Sequence, residues 1–395
     1  MHDGAWHDLQ SCWFNSLYSR VLPSHAIELT AALLDRARKE VDDGVLPSCQ
    51  IAVGLDGEIV AAEAFGAATV DTRYVIFSQT KALIAAVMWQ LIAEGSVSID
   101  DTIALHVPEF AANDKGAITV EQVMTHTSGF PRAPLGPPNW GDRSWRIERM
   151  AAWRCNWAPG TRFEYHPTSA HWVLAEIIER IDGQDYRTSV RERVIDPLGL
   201  VRLALGVAPE DQGDIADLVA SGTGPSPDEL ESVFGVREYD LGEVTPEALL
   251  MFNDPANRAV GVPGGGGIST ATDMALLYQA FLHNPGGLWD ADVLADATGH
   301  IRTTLPDPIL RTPANRTLGL IAAGDDGTSS FRGMGHNVSA RAFGHNGAAG
   351  QIAWADPETG LSVCYLTNGV DRNFLREARR VSGIASRAAL LTKSS

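Results

Sequence analysis

The distribution of apolar residues predicts two strand pairs, one near each end of the chain. Residues 50–61 are rich in apolar side chains on both sides of Asp56-Gly57, a pattern typical of a β-hairpin that turns at this dipeptide. Residues 350–368 repeat the pattern around a polar turn at 356–360. Helical spacing of apolar residues predicts helices at about 27–41 and 375–391. Each end of the chain therefore contributes one hairpin and one helix.

Between these ends the pattern is mostly helical, and its most apolar part is the run at 82–95, which closes with Gly95. We therefore predict an α+β fold, in which an antiparallel sheet is flanked by N- and C-terminal helices and carries an inserted, mostly helical domain. We expect residues 26–78 and 315–395 to form the sheet domain and residues 79–314 the inserted domain. The active site is expected between the two.

The first 25 residues are predicted to be a separate amphipathic extension. Four large apolar residues recur there at helical spacing and share one face, namely Trp6, Leu9, Trp13 and Leu17. We expect this face to dock on the body of the protein or on a partner subunit. In the second case the protein would form a homo-oligomer through the arm. The start of the chain lacks the basic and apolar segments of a secretory signal.

Charge and cysteine content narrow the functional classes. The formal net charge of −18 repels phosphate backbones, so we expect no nucleic-acid partner. No apolar run reaches the roughly 20 residues that span a bilayer, so no membrane partner is expected. The four cysteines form no Cys-x-x-Cys pair, which favours a reduced, cytoplasmic protein. The histidines show no metal-ligand spacing, and neither a metal nor another cofactor is expected.

The candidate chemistry lies at the start of the most apolar helix. Ser78 and Lys81 are three residues apart and share one helical face. Burial of the lysine favours its neutral form, and a neutral amine can take a proton from the serine. The pair alone also fits a helix N-cap serine with a lysine whose amine reaches solvent. No Gly-x-Ser-x-Gly sequence competes as the nucleophile site.

Two further stretches are candidates for lining a site. The glycine run 264–267 is not followed by Lys-Ser/Thr, so we interpret it as close backbone packing or a site wall and not as a phosphate loop. Half of the ten tryptophans lie between residues 140 and 172. Most of these are expected in the core of the helical domain, while Trp140 and Trp157 are candidates for lining a substrate pocket.

Four motifs in order give the chain a resemblance to the serine β-lactamase and penicillin-binding-protein superfamily, and in particular to the class C β-lactamase-like carboxylesterases (family VIII esterases). The resemblance covers about residue 27 to the end. The motifs are Ser78-Gln79-Thr80-Lys81, Val123-Met124-Thr125-His126-Thr127-Ser128-Gly129, Pro159-Gly160-Thr161-Arg162-Phe163-Glu164-Tyr165 and Phe343-Gly344-His345-Asn346-Gly347.

The resemblance implies roles for individual residues. Ser78 would be the nucleophile, Lys81 its proton acceptor, and Tyr165 the residue that shares the proton. The backbone N–H groups of Ser78 and Ala348 would form the oxyanion hole. His345, Asn346 and Gly347 would contact substrate, whereas His126 and Ser128 are interpreted as structural.

Two departures from the family pattern bear on the substrate. Pro167 stands where the second motif has asparagine, and His345 stands where the third motif has lysine. Both changes weaken the docking of β-lactams and peptides but leave acyl transfer intact. We therefore expect a serine carboxylesterase that forms an acyl-enzyme on Ser78 with a small-molecule ester, short-chain or aryl. The alternatives are a β-lactamase, a D-aminopeptidase or amidase, a transacylase, or a non-enzymatic protein on the same fold.

Overall fold

The structure, a computed structural model, describes residues 24–238 and 244–392. The predicted amphipathic arm lies outside the described residues, apart from its last two positions. The helices in these ranges are α1 (Ser24–Asp42), α2 (Lys81–Ala93), α3 (Ile103–His106), α4 (Val120–Met124), α5 (Arg143–Ala152), α6 (Ser169–Asp182), α7 (Tyr186–Val190), α8 (Pro227–Phe234), α9 (Pro246–Leu250), α10 (Pro255–Val260), α11 (Ala271–His283), α12 (Ala291–Gly299) and α13 (Phe374–Ala388).

The strands come mainly from the two ends of the chain, as the sequence predicts. They are β1 (Ser48–Leu55), β2 (Glu58–Gly66), β3 (Tyr74–Phe77), β4 (Ala204–Leu205), β5 (Val219–Ser221), β6 (Gly267–Ser269), β7 (Ile321–Ala322), β8 (Phe343–Gly347), β9 (Gln351–Asp356), β10 (Leu361–Thr367) and β11 (Gly369–Asp371). The described residues thus form the predicted α+β fold, with both predicted hairpins present as β1–β2 and β9–β10.

The main sheet has the strand order β2-β1-β10-β9-β8-β7, and all of its pairings are antiparallel. The first hairpin turns at Asp56 and Gly57, which both have positive φ, as a tight two-residue hairpin turn requires. The pairing of β1 with β10 brings the two ends of the chain together, with Ala52 opposite Cys364. The predicted sheet built from both termini is therefore observed. A smaller sheet, β3-β6-β4, lies next to the candidate nucleophile.

The two faces of the main sheet pack against different helices. Large alternate residues, such as Ile51 and Trp354, lie in a cluster with α1 and α13. The intervening residues Ala52, Ala353 and Ala355 are small and face the larger core. Their size lets α11 approach the sheet closely. This helix falls inside the predicted insertion of residues 79–314, yet it packs in the sheet layer.

Helix α2 is the centre of the larger core. Every residue from Lys81 to Leu91 is buried, so the helix is enclosed around its whole circumference and has no solvent-facing side over this range. Trp89 fixes it further, because its indole Nε1 donates to Leu318 O at 2.9 Å. A rigid, buried α2 gives the residues at its N-terminus a fixed position. In the parts of the chain that the structure describes, no helix combines the length and hydropathy needed to cross a membrane.

Candidate active site

Ser78 begins a short 3-10 turn, Ser78–Thr80, that joins β3 to α2. Its neighbour Phe77 has φ 45° and ψ −130°, a backbone conformation that costs free energy in a residue with a side chain. Thr80 holds the turn, because its Oγ1 donates to Phe77 O at 2.5 Å and accepts from Gly267 N at 2.9 Å. This strained turn places the half-buried Ser78 in the wall of a cavity.

Lys81 is completely buried, and its amine has three polar contacts. Nζ lies 3.2 Å from Ser78 Oγ, 2.7 Å from Pro167 O and 2.6 Å from Gly264 O. The Ser78 hydroxyl and the Lys81 amine therefore lie close together, as the sequence predicts. Burial, followed by the positive charge of Arg316, holds the pKa of Lys81 well below its usual value.

The two carbonyl contacts of Lys81 come from stretches that the sequence marked for other reasons. Pro167 lacks the side-chain amide of the family's second motif, but its backbone oxygen binds the amine. Gly264 is the first glycine of the glycine run. A Cβ at this position would lie 2.8 Å from Pro167 O and 3.4 Å from Lys81 Nζ. The glycine thus permits the close backbone approach that forms the lysine site.

Tyr165 covers Lys81, with its ring centroid 5.0 Å from Nζ. Its side chain lines the same cavity as Ser78. Burial raises the pKa of Tyr165 to about 12, while the Ser78 hydroxyl and the Arg316 charge oppose the rise. The buried Oη has no hydrogen-bond partner of ordinary geometry among the described residues. This hydroxyl therefore remains available to a substrate atom at Ser78.

The stretch that carries Tyr165 is held by histidines. His166 Nδ1 donates to Glu164 O at 2.6 Å, so its Nε2 is unprotonated and accepts from Phe130 N and from Ser128 Oγ, each at 3.1 Å. His126 Nδ1 accepts from His166 N at 3.3 Å. These bonds agree with the structural interpretation of His126 and Ser128. His166 joins them as a residue to which the sequence gave no role.

Arg316 is the part of the site that the sequence did not indicate. It is 7% exposed and lines the cavity. Its guanidinium carbon lies 5.3 Å from the Tyr165 ring centroid and 5.4 Å from that of Phe163. Nη1 lies 3.4 Å from Nε2 of His345. Arg316 belongs to no motif, and it reaches the site only through the tertiary fold, so no local signal could have identified it.

The third motif lies on β8, at the edge of the cavity. Asn346, Gly347 and Ala348 line the cavity together with Ser78. Their roles in substrate contact and as the second oxyanion donor stay predictions. His345 is buried behind them, and its Nδ1 donates to Asn346 O at 2.7 Å. Burial, then the charges of Arg316 and Lys81, hold the pKa of His345 well below its usual value. His345 is therefore neutral. It is not among the residues that line the cavity, but it contacts Arg316, which does line it.

The two candidate tryptophans do not lie in the wall of this cavity. Trp140 is buried in the helical core, with its ring 6.2 Å from that of Phe252. Trp157 packs edge-on against His166 at 6.3 Å. Trp140 belongs to the hydrophobic core, whereas Trp157 is partly exposed and lies outside it. Neither tryptophan is among the described residues that line the cavity beside Ser78.

The cavity beside Ser78 encloses about 270 Å³. Its polar and charged lining residues are Ser78, Tyr165, Asp307, Arg316, Arg332, Asn346 and Glu377. Its large apolar and proline or alanine lining residues are Val244, Ile309, Leu310, Pro313, Ala314, Ile321 and Phe331. Phe331 and Ile309 are 54% and 46% exposed and mark the mouth. A concave lining that combines apolar side chains with several polar groups is typical of a site for a small organic substrate.

Taken together, the site combines a hydroxyl, a buried amine and a phenol around one cavity. A nucleophile within reach of a base, with a second proton carrier next to the base, is the arrangement needed for covalent acyl transfer. Ser78, Lys81 and Tyr165, which the sequence singled out, are brought together. Arg316 and the carbonyls of Pro167 and Gly264 complete the surroundings of the amine.

Comparisons with known proteins give a consistent result. The Beta-lactamase family model matches residues 33–385. Over 319 residues the chain is 27% identical to "Esterase/beta-lactamase LipL" of Mycobacterium tuberculosis, a match that covers 75% of this chain and 70% of that protein.

Two solved structures have a similar fold over nearly the whole chain. A penicillin-binding protein homologue from Caulobacter crescentus superposes with a TM-score of 0.75 at 26% identity, covering 93% of this chain and 98% of that one. A family VIII carboxylesterase superposes with a TM-score of 0.72 at 24% identity, covering 91% and 97%. At 24% identity, the similarity to the carboxylesterase concerns the fold alone.

Proposed function

Since this chain belongs to the beta-lactamase family, we propose that it is a serine hydrolase that cleaves carboxylic esters of small molecules through an acyl-enzyme on Ser78. The observation that carries the proposal is the buried Lys81 amine, which lies 3.2 Å from Ser78 Oγ and is bound by two backbone carbonyls. The name of the mycobacterial relative, which includes esterase, supports the same reaction class.

The first step is the removal of the Ser78 proton. A neutral amine has two N–H donors and one lone pair. The carbonyl oxygens of Pro167 and Gly264 can only accept, so they take the two N–H groups and leave the lone pair facing Ser78 Oγ. In this protonation state the Ser78 hydroxyl donates to Nζ. Lys81 then accepts the proton as Oγ forms its bond to the ester carbonyl carbon.

Tyr165 carries the proton onward. The negative charge that develops on the carbonyl oxygen is stabilised by the N–H groups of Ser78 and Ala348, which belong to two residues lining the cavity. The bond to the alkoxide breaks as Tyr165, with its ring against Lys81, delivers a proton to the leaving alcohol. Lys81 returns the proton to Tyr165. Water then attacks the acyl group by the reverse sequence of proton transfers and releases the acid.

The family also contains enzymes that act on amides, so the substrate class needs its own argument. An ester requires less assistance than an amide, because its alkoxide leaves once it is protonated. The second motif carries Pro167, which has no side-chain amide and whose carbonyl already binds Lys81. The mycobacterial relative is also named a β-lactamase, so β-lactams are the second candidate substrate class. Amidase, D-aminopeptidase and transacylase activities would use the same residues.

The experiment is a hydrolysis panel of p-nitrophenyl esters, nitrocefin and D-aminoacyl p-nitroanilides, run with the wild type and with Ser78→Ala. The proposal expects ester hydrolysis that disappears in the variant. Ester hydrolysis that Ser78→Ala retains would place the nucleophile elsewhere. A wild type that hydrolyses only the nitrocefin or only the anilides would replace the ester by that substrate class. A fully inactive wild type would favour a binding protein on the same fold.

A further inference from the structure

The backbone turn that carries the expected second oxyanion donor is strained. Residues Ala348–Gly350 connect β8 to β9, and the first of them supplies an N–H group that the proposed mechanism uses. Ala349 has φ 59° and ψ 25°, a left-handed conformation that is costly for a residue with a side chain. Such a conformation persists only where the surrounding structure holds it. The contacts that hold this turn therefore bear on the oxyanion hole.

The strand that follows the turn is held by the side chain of Gln351, the first residue of β9. Its Nε2 donates to Thr367 O at 2.7 Å and to Val75 O at 3.2 Å, and its Oε1 accepts from Thr367 N at 3.0 Å. These bonds fix the start of β9, so the turn itself must be held from another side.

Helix α13 covers the turn with two charged side chains. Gly350 has φ 79°, and a Cβ there would lie 2.8 Å from Nη2 of Arg380 and 3.0 Å from Cγ of Glu377. Glycine thus permits both side chains to lie directly against the backbone. Glu377 also lines the cavity beside Ser78. Burial raises the pKa of its carboxyl to about 7, and Asp371 adds to the rise, whereas the Arg380 charge and a hydrogen bond from the Gly350 N–H oppose it.

Arg380 is the cation that Glu377 balances. Arg380 is fully buried, and the Asp371 carboxylate, 3.5 Å from its Nη1, already accepts two bonds of 2.8 and 2.6 Å from another arginine. Glu40, a further acid that acts on Arg380, likewise accepts two bonds from another arginine. This group contains three arginines and three carboxylates, namely Arg36, Arg376, Arg380, Glu40, Asp371 and Glu377. Glu377 is thus the carboxylate that remains for Arg380.

We propose that Glu377 is a positioning residue for the oxyanion hole. Its carboxyl accepts the Gly350 N–H and, held by the charge of Arg380, keeps the turn in the conformation that presents the Ala348 N–H to the cavity. This role rests on the proposed ester hydrolysis, in which the Ala348 N–H stabilises the negative charge on the carbonyl oxygen. Helix α13, which lies outside all four sequence motifs, thereby takes part in the reaction.

A direct contact with the substrate is the competing role, because Glu377 lines the cavity. A residue that contacts the bound ester equally in the ground state and the transition state changes KM. A residue that positions an oxyanion donor changes kcat, because the negative charge on the oxygen develops only in the transition state. The two roles also respond differently to the strain at Ala349, since only the positioning role disappears once the turn no longer needs to be held.

The first comparison sets Glu377→Gln against Glu377→Met. Both side chains are similar in size to glutamate and both remove the charge that balances Arg380, so their effects on stability should be alike. Only glutamine keeps an oxygen that accepts the Gly350 N–H. For p-nitrophenyl butyrate we expect kcat of the Met variant to be lower than that of the Gln variant by about tenfold or more, a part of the roughly 10²- to 10³-fold loss that removal of an oxyanion donor causes. KM should be similar in both.

The second comparison adds Ala349→Gly to Glu377→Met. Glycine adopts a positive φ without the cost that alanine has, so the turn should form with less help and the double variant should recover several-fold in kcat over Glu377→Met. Glu358→Met is the matched control, because Glu358 is exposed in the turn at the other end of β9 and does not line the cavity. It removes the same charge and should leave kcat and KM unchanged. Melting temperatures show that each variant is folded.

Three results would overturn the positioning role. Equal kcat in Glu377→Gln and Glu377→Met would show that the accepting oxygen is unimportant. A loss confined to KM, or a loss of kcat that Ala349→Gly does not relieve, would assign Glu377 to a direct contact with the substrate. In each case hydrolysis of p-nitrophenyl butyrate by the wild type, and its loss in Ser78→Ala, would still support the proposed function. Failure of the positioning role is therefore distinct from failure of the esterase assignment.

Discussion

The amine of Lys81 and the guanidinium of Arg316 lie against the same aromatic ring, that of Tyr165, at 5.0 and 5.3 Å from its centroid. Two full positive charges so close together in a buried site repel each other strongly. Arginine keeps its proton under all ordinary conditions, whereas lysine loses its proton readily when buried. Arg316 therefore helps to hold Lys81 in the neutral form that a general base requires.

The first prediction concerns the pH profile. The rate requires neutral Lys81, so kcat/KM for a neutral ester should rise with pH through the pKa of Lys81, which burial and Arg316 hold well below its usual value. Arg316→Gln removes the positive charge, which raises the pKa of Lys81 and moves this rise to higher pH. The measurement is kcat/KM for ethyl hexanoate over about pH 5 to 10. A profile that stays in place, or moves to lower pH, would contradict the coupling.

The second prediction concerns the catalytic residues as a unit. Ser78→Ala and Lys81→Ala should each lower kcat by at least ~10³, because both side chains serve the same proton transfer, and the double variant should be little worse than either. Melting temperatures provide the control for folding. Multiplicative losses in the double variant would mean that Lys81 does not act on Ser78.

Tyr165→Phe provides the third prediction. It removes the hydroxyl but keeps the ring against Lys81 and Arg316, so packing should be conserved. We expect a loss of about 10² to 10⁴ in kcat, the usual contribution of a positioned acid or base. The buried Oη has no hydrogen-bond partner of ordinary geometry among the described residues, so its removal should not destabilise the fold. An enzyme that retains most of its activity would assign the proton relay to another group.

Two neighbouring glycines allow a fourth prediction with an internal control. A Cβ at Gly264 would lie 2.8 Å from Pro167 O, whereas a Cβ at Gly265 would have its nearest neighbour at 3.9 Å. Gly264→Ala must therefore displace the carbonyls that hold Lys81, and about a 10²-fold loss of kcat is expected from such a misplacement. Gly265→Ala should be close to wild type. Equal activity in the two variants would show that the carbonyl positions are unimportant.

The fifth prediction compares esters with β-lactams. The sequence predicts that the changes at Pro167 and His345 weaken β-lactam docking. In the structure, however, Arg316 supplies a positive charge next to His345. The prediction therefore rests on Pro167, whose carbonyl binds Lys81 and whose side chain offers no amide. Loss of such a bond is worth about one order of magnitude or more in rate. We expect a higher kcat/KM for p-nitrophenyl butyrate than for nitrocefin. The reverse order would favour the β-lactamase alternative.

The sequence could predict the parts of the site that depend on local spacing. Ser78 and Lys81 are one helical turn apart, so their proximity follows as soon as α2 is recognised as a buried helix. The strands were predictable for a similar reason, because both hairpins carry alternating or continuous apolar residues around short polar turns. No individual helix could be located at α12 from the sequence, because residues 283–341 contain many proline, glycine and aspartate residues that favour irregular structure.

The contacts made through tertiary structure were not predictable in the same way. The carbonyls of Pro167 and Gly264 and the side chain of Arg316 reach Lys81 or Tyr165 from distant parts of the chain. Backbone oxygens leave no trace in residue type, and one arginine among many carries no local signal. Trp140 shows the opposite error, because a large aromatic side chain fits a core position as well as a pocket.

The most direct test of the account is to identify the residue that becomes covalently modified. The wild type is treated with a fluorophosphonate probe, and the labelled peptide is located by mass spectrometry, with Ser78→Ala and Lys81→Ala treated in parallel. We predict a single adduct on Ser78, no adduct in Ser78→Ala, and slow labelling in Lys81→Ala, because the hydroxyl then lacks its base. An adduct on another residue would contradict the mechanism. So would a wild type that carries no adduct on Ser78 while ester hydrolysis persists in Ser78→Ala.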